Sequence, residues 1–233
     1  MTGIFITATG TDIGKTVVSE IIARQRHAKK LPILCLKPVI SGFTSENIND
    51  SDSAILIKAM GKSVTPEMLD YVSPFRFKAP LAPNMAALAE GKTVDSAAII
   101  THCKEAIVDH KFTLVEGVGG SHVPLDDTML VVDWINALAL PTLLVIGNYL
   151  GTLSHTLASI EAMQHRGIII KGIIINESEK PTEGKNPDME ETKKTLEQHL
   201  NLDCPIVTLP RPIDPKNLGQ CPDLLKPFGL DQA

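Results

Sequence analysis

Six short runs of apolar, largely β-branched residues, separated by longer stretches of helical period, constrain this chain more than any other feature of its sequence. Ile4 to Thr7, Ile33 to Leu36, Phe112 to Val115, Thr142 to Ile146, Ile168 to Ile175 and Ile206 to Leu209 read as strands. These runs are apolar throughout instead of alternating, so each is expected to be buried on both faces, as in a parallel sheet sandwiched by helices. The intervening helices are Lys15 to Lys29, with Val18, Ile21 and Ile22 on one face, Leu153 to Arg166, and Asp188 to Leu200, with Glu190 and Lys194 spaced i, i+4. The expected fold is a doubly wound α/β domain with a mainly parallel sheet and helices on both faces. All 233 residues are read as one domain, with an irregular C-terminal wrap from about 210, where Pro210, Pro212, Pro215, Pro222 and Pro227 interrupt any further unit.

Charge narrows the partners. A net charge of -5 and a pI near 5.8 argue against a nucleic acid or an anionic membrane, either of which needs a field of clustered Lys and Arg. The one basic cluster, Arg24 to Lys30, reads as a solvated helix end. Cys35, Cys103, Cys204 and Cys221 are scattered without a CxxC pair, so neither zinc nor a disulfide framework is expected. The chain opens on a strand-like GIFITAT, and no apolar run approaches the ~20 residues that span a bilayer, so a cytoplasmic enzyme is expected. Two stretches break the strand–helix alternation and read as loops: Ser41 to Asp52, and Ser73 to Pro83 with Pro74, Pro80 and Pro83. Long loops in compact domains usually carry function.

The first strand runs into Ala8-Thr9-Gly10-Thr11-Asp12-Ile13-Gly14-Lys15-Thr16 and then directly into a helix, which is where an anion-binding turn belongs in this fold. Backbone N–H groups and the helix dipole would hold phosphates there, with Gly14 permitting close approach, Lys15 neutralising the β and γ phosphates, and Thr16 ligating Mg2+. The general phosphate-loop pattern wants a glycine at position 9, where Thr9 stands, so the strand–turn–helix context carries the assignment to the P-loop NTPase type. Carboxylates for Mg2+ are sought at the same edge. Glu116 closes a strand and leads into Gly117-Val118-Gly119-Gly120; Asp52 follows the polar loop and is read either as a metal ligand or as a helix N-cap. Lys37 ends the second strand before Pro38, which favours an extended backbone and so projects a second cation over the edge that holds Lys15.

Taken in order and spacing, Ile13-Gly14-Lys15-Thr16, Lys37-Pro38-Val39-Ile40-Ser41-Gly42, Asp52, Val115-Glu116-Gly117-Val118-Gly119-Gly120, Asp133-Trp134, and Leu150-Gly151 with His155 resemble the dethiobiotin synthetase family. The match covers roughly residues 3 to 176, more weakly to about 212. The resemblance implies an ATP-dependent ligase of biotin biosynthesis that closes a cyclic urea from 7,8-diaminononanoate and CO2, through a carbamate and its mixed anhydride with phosphate. It implies catalytic roles for Lys37, Lys15 and Thr11, and substrate contacts from Thr11, Ser41 and Lys37. It implies an ATP cradle of Asp12, Ile13, Gly14, Lys15, Thr16, Val17, Asp52, Glu116, Gly117, Val118 and Gly119, with Asn176, Pro210 and Arg211 around the base, and a Mg2+ site of Thr16, Asp52 and Glu116. It also implies a homodimer in which Gly151 and Ser154, on the segment Leu150 to His155, reach the neighbouring subunit's substrate. The sequence departs from a common family pattern at Ala8, where a glycine is usual, and at Ser154, where an Asn often precedes the His.

Two other readings share the fold. A nucleotide-switched partitioning or regulatory ATPase would typically carry an extra lysine early in its phosphate loop, and ATGTDIGKT has none before Lys15. A cobyrinate-type amidation synthetase would usually bring a glutaminase domain, for which 233 residues leave no room.

Overall fold

The computed structural model describes residues 2–177 and 186–232. In chain order the elements are β1 (Gly3–Ala8), α1 (Lys15–Ala28), β2 (Leu34–Leu36), β3 (Val39–Ser41), α2 (Asp52–Ala59), α3 (Pro66–Val72), β4 (Phe75–Phe77), α4 (Pro83–Ala89), α5 (Ser96–Asp109), β5 (Thr113–Glu116), α6 (Val131–Leu138), β6 (Thr142–Gly147), α7 (Thr152–His165), β7 (Ile170–Asn176), α8 (Met189–His199) and β8 (Ile206–Leu209). Six strands form one sheet in the order β2-β5-β1-β6-β7-β8, every neighbouring pair parallel. β1, β5 and β6 are buried along their whole length, as unbroken apolar runs require of strands covered on both faces. Because the strands are parallel, all their carboxyl ends share one edge. From β1 the chain moves outward to β2 and returns through β5, then crosses to β6 on the other side, so the switch in winding direction falls beside the carboxyl end of β1.

The six strands read from sequence are these six, within two residues at either end. Two readings need correction. Ser73 to Pro83 is not all loop: Phe75–Phe77 pairs in parallel with Val39–Ser41 as a separate two-stranded sheet, and Pro83 opens α4 at its first position, where a missing N–H costs nothing. Three-residue strands are too short to show a period. The basic cluster from Arg24 to Lys30 is also not uniformly solvated. Arg26 is fully buried, donates to the carbonyls of Pro32, Leu230 and Gln232, and lies 3.8 Å from the centroid of the Phe112 ring. Val18, Ile22 and Arg26 share one helical face at i, i+4 spacing, so the local signal for its burial was present.

Beyond β8 the chain holds no further strand among the described residues, and its C-terminal wrap is tied down by burial of Leu224, Leu225, Phe228 and Leu230. Phe228 packs where Gly172 of β7 lacks a side chain: a Cβ there would lie 2.2 Å from the ring. Gln25 of α1 holds the same segment, donating to Pro222 O and accepting from Leu224 N. The helix that begins at the phosphate loop is therefore braced at its far end by the last residues of the chain.

Candidate active site

At the carboxyl edge of the sheet a cavity of about 730 Å3 opens between the turn after β1, the residues after β2 and β5, the start of α2, the Pro80 to Pro83 segment, and the ends of β7 and β8. Its floor is the turn from Thr9 to Thr16. Asp12 and Gly14 both take left-handed backbone, φ 57° and 102°, which bends the chain into a tight turn ahead of α1, the kind of turn in which backbone N–H groups can form an anion nest. Gly14 caps α1 with no side-chain hydrogen bond, so no side chain competes for the first-turn N–H groups. The turn is held from below by hydrogen bonds from Thr9 N to Val145 O and from Ser121 N to Ala8 O. From the side, the glycine run after Glu116 closes on it. A Cβ on Gly120 would come within 3.0 Å of Gly10 N, so only glycine allows these two backbones to touch.

The charged groups converge as the strand ends dictate. Lys37, one residue past β2, is 3% exposed and spends its ammonium on Glu116 Oε1 at 2.6 Å, Gly117 O at 2.9 Å and Asp52 Oδ2 at 3.2 Å. Glu116, the last residue of β5, is fully buried and also accepts from Thr16 Oγ1 at 2.7 Å, while its Oε2 has no partner. Asp52 is not the cap of α2: Ser51 takes that place, accepting from Ala54 N, which frees the Asp52 carboxylate to face Lys37. Burial alone would lower the Lys37 pKa, but Glu116 and Asp52 outweigh it and hold the ammonium above its ordinary value. Burial works on Asp52 in the opposite sense, and Lys37, Thr16 and Lys15 overcome it to keep that carboxyl below its usual range. Lys15, buried at the same edge, is pulled down to about 8, first by desolvation and then by the Lys37 charge.

Most of the expected site residues meet here. Thr11, Asp12, Gly14, Lys15, Thr16, Val17, Lys37, Ser41, Asp52, Val118, Gly119, Asn176 and Arg211 all line the one cavity. Ile13 and Gly117 contribute through backbone carbonyls, to Asn176 and Lys37 respectively. Ser41 Oγ is buried without a partner at the cavity wall. Pro210 does not line the cavity, whereas Arg211 does, held by bonds from its backbone N to Glu177 Oε2 and from its Nε to Glu177 O. Gly151 and Ser154 lie apart from it, at the start of α7: Gly151 is the left-handed N-cap and Ser154 is exposed on the first turns. Near them a smaller recess is lined by Thr9, His122 and His155, and His155 Nδ1 is 2.8 Å from Tyr149 Oη. Sequence reading missed the apolar wall of Ile40, Leu81, Ala82, Pro83 and Val123, although the proline spacing had marked part of it as a functional loop.

Hard oxygens dominate the donor set: a hydroxyl, one half-exposed carboxylate and one buried carboxylate with a free oxygen suit a cation that uses one or two protein oxygens and keeps its waters. Among the described residues no cluster of three or more His, Cys, Asp or Glu exists, and no helix is long and apolar enough to cross a membrane.

Residues 2–210 match the family model described as an AAA domain. The ATP-dependent dethiobiotin synthetase BioD of Acidiphilium cryptum is 43% identical over 209 residues, covering 89% of this chain and 92% of that protein. The enzyme of the same name from Bacillus subtilis is 39% identical over 192 residues, 81% of each. Among solved structures, apo McdA from Cyanthece aligns at a TM-score of 0.56 with 14% identity over 97% of this chain and 96% of that one. A ParA family ATPase from Chlorobium tepidum aligns at 0.52 with 15% identity over 97% and 90%. At such identities the structural likeness concerns the fold alone.

Proposed function

The chain belongs to the dethiobiotin synthetase family of ATP-dependent ligases, and on that premise we propose that it makes dethiobiotin from 7,8-diaminononanoate, CO2 and ATP in the cytoplasm, by way of a carbamate and a carbamic-phosphoric anhydride. The observation that carries this reading is the convergence of Lys15, Lys37, Thr16 and Asp52 at one cavity beside an anion-binding turn, with Glu116 buried behind them and accepting from Lys37 and Thr16.

One amine of the diamine adds to CO2 and loses a proton, giving a carbamate anion. Its oxygen attacks the γ-phosphorus of ATP, the bond to ADP breaks, and a mixed anhydride forms. The second amine then attacks the anhydride carbon, the C–O bond to phosphate breaks, and the urea ring closes with loss of a proton. Negative charge builds on the carbamate and phosphoryl oxygens, so the main demand on the protein is preorganised positive charge and alignment. Lys15, at the head of α1, meets the phosphates. Lys37 meets the carbamate, and of its three partners Asp52 is the farthest and most exposed, hence the one whose place a carbamate oxygen takes. Thr11 and Ser41 orient the diamine, the latter with a hydroxyl left unpaired inside the chain. Mg2+, held by Thr16, Asp52 and Glu116, supplies charge neutralisation on the polyphosphate. The apolar segment from Leu81 to Pro83 suits the methylene chain of the substrate. In a homodimer, Gly151 and Ser154 of each copy approach the other's substrate; Leu150 beside them is 87% exposed.

Incubation with MgATP, bicarbonate and the diamine should yield the cyclic urea by mass spectrometry, with one phosphate released per ring closed. Phosphate release with no ring product would instead favour a nucleotide switch.

The Lys15 shift gives a pH signature. Phosphate favours the protonated amine, so binding raises a pKa that stands near 8 in the free protein and takes up a proton when the pH exceeds it. ATP affinity is expected to be greatest below pH 8 and to fall by up to about tenfold per pH unit above it. Calorimetry at pH 8.5 in buffers of differing ionisation enthalpy should register that uptake; a pH-independent affinity with no proton uptake would remove Lys15 from the phosphate site.

A further inference from the structure

Asn176 ends β7 and is 5% exposed, and its amide nitrogen donates to Ile13 O at 2.8 Å. A backbone carbonyl can only accept, so the nitrogen end of the amide faces the phosphate turn and the oxygen end is left for other partners. This contact joins two segments 163 residues apart in the chain. The fit is tight: Gly14 has φ 102°, and a Cβ on it would stand 2.1 Å from Asn176 Nδ2 and 3.0 Å from Asn176 Cγ. The missing side chain of Gly14 thus serves two ends, the left-handed backbone and the space that the Asn176 amide fills.

The peptide joining Ile13 to Gly14 is planar and trans, so its carbonyl and its N–H point in opposite directions. Fixing Ile13 O on Asn176 therefore fixes the direction of Gly14 N–H, on a residue that lines the cavity between Asp12 and Lys15. Ile13 ψ and Gly14 φ set the orientation of that peptide, and a glycine turns about φ more freely than any other residue, so among the described contacts it is the Asn176 bond that holds the Ile13 carbonyl in place. We propose that Asn176 is a positioning residue for the phosphate loop: by holding the Ile13–Gly14 peptide in one orientation it presents Gly14 N–H to the polyphosphate, whatever base the nucleotide carries. The inference rests on the nucleotide-binding reading above and extends it, because it assigns to a residue expected at the base a function toward the phosphates.

The two roles separate with a ligand that has no base. Inorganic tripolyphosphate and ATP, each with Mg2+, are titrated calorimetrically into wild type, Asn176→Ala and Asn176→Leu; both variants are neutral and neither can donate to Ile13 O. A positioning role predicts that tripolyphosphate affinity falls about tenfold in both variants, the loss expected for one misdirected hydrogen bond to a charged group. Base reading alone predicts weaker ATP binding with tripolyphosphate unchanged, and that result would overturn the proposal. In the wild-type protein itself, the Gly14 amide proton should show the largest downfield shift in the loop on addition of tripolyphosphate; an unmoved Gly14 resonance with others shifting would overturn it too, whatever the fate of the variants. Failure of wild type to bind either ligand would instead take down the nucleotide-binding reading on which the inference stands.

Discussion

Lys37→Ala should lower the rate of ring closure by about a thousandfold, the size of loss seen when a preorganised donor to a developing oxyanion is removed, while ATP affinity changes by a small factor. The ammonium is buried and held in its charged form by two carboxylates, so a carbamate would meet it already oriented and with little reorganisation left to do. Its removal carries a second effect. Glu116 is then left buried with Thr16 as its side-chain partner, a broken buried pair that costs on the order of 3–5 kcal/mol of stability. The variant should therefore be assayed well below its own melting temperature, with the folded fraction checked by denaturant titration. Turnover within a few fold of wild type in the folded variant would remove Lys37 from the chemistry.

Glu116→Gln tests the other half of the charge arrangement. The amide keeps an oxygen in reach of Lys37 Nζ and Thr16 Oγ1 but gives up the negative charge and the free carboxylate oxygen. The expected result is a Mg2+ requirement shifted upward by at least about tenfold, the lower end of the loss seen for outer-shell partners of a metal site, with a stability loss of about 1–3 kcal/mol from an amide N–H buried where Oε2 has no partner. Glu116→Leu, which leaves Lys37 with Gly117 O and the half-exposed Asp52, should in contrast lose about 3–5 kcal/mol. An unchanged metal titration in the Gln variant would make Glu116 a purely structural partner of Lys37.

The residues that chain order alone could place are those at strand ends. Lys37 and Glu116 read as site residues because a parallel sheet gathers the carboxyl ends of its strands at one edge, and the GKT turn names that edge as the phosphate side. Local sequence also sufficed for the six apolar strands, since burial on both faces leaves no alternation to misread. Asp52 was ambiguous for a physical reason: an acid at the start of a helix caps it or does something else, and only the observed Ser51 cap decides between them. The helical spacing of Arg26 from Val18 and Ile22 points it inward, but the carbonyls of Leu230 and Gln232 that satisfy its guanidinium lie more than 200 residues away, which no window along the chain can show. The small β3–β4 sheet is too short to carry a period. Asn176 could be assigned to a base from family resemblance, but its bond to Ile13 is a long-range contact visible only in the fold.

In the proposed reaction a carbamate anion, held by Lys37, accepts the phosphoryl group held by Lys15. Its oxygen bookkeeping is distinctive, because the oxygen that bonds to phosphorus comes from CO2 and leaves with phosphate when the ring closes. A single turnover with 18O-bicarbonate, ATP and the diamine should release inorganic phosphate carrying one 18O atom per ring formed. Phosphate that remains unlabelled while the cyclic urea accumulates would rule out phosphorylation of a carbamate.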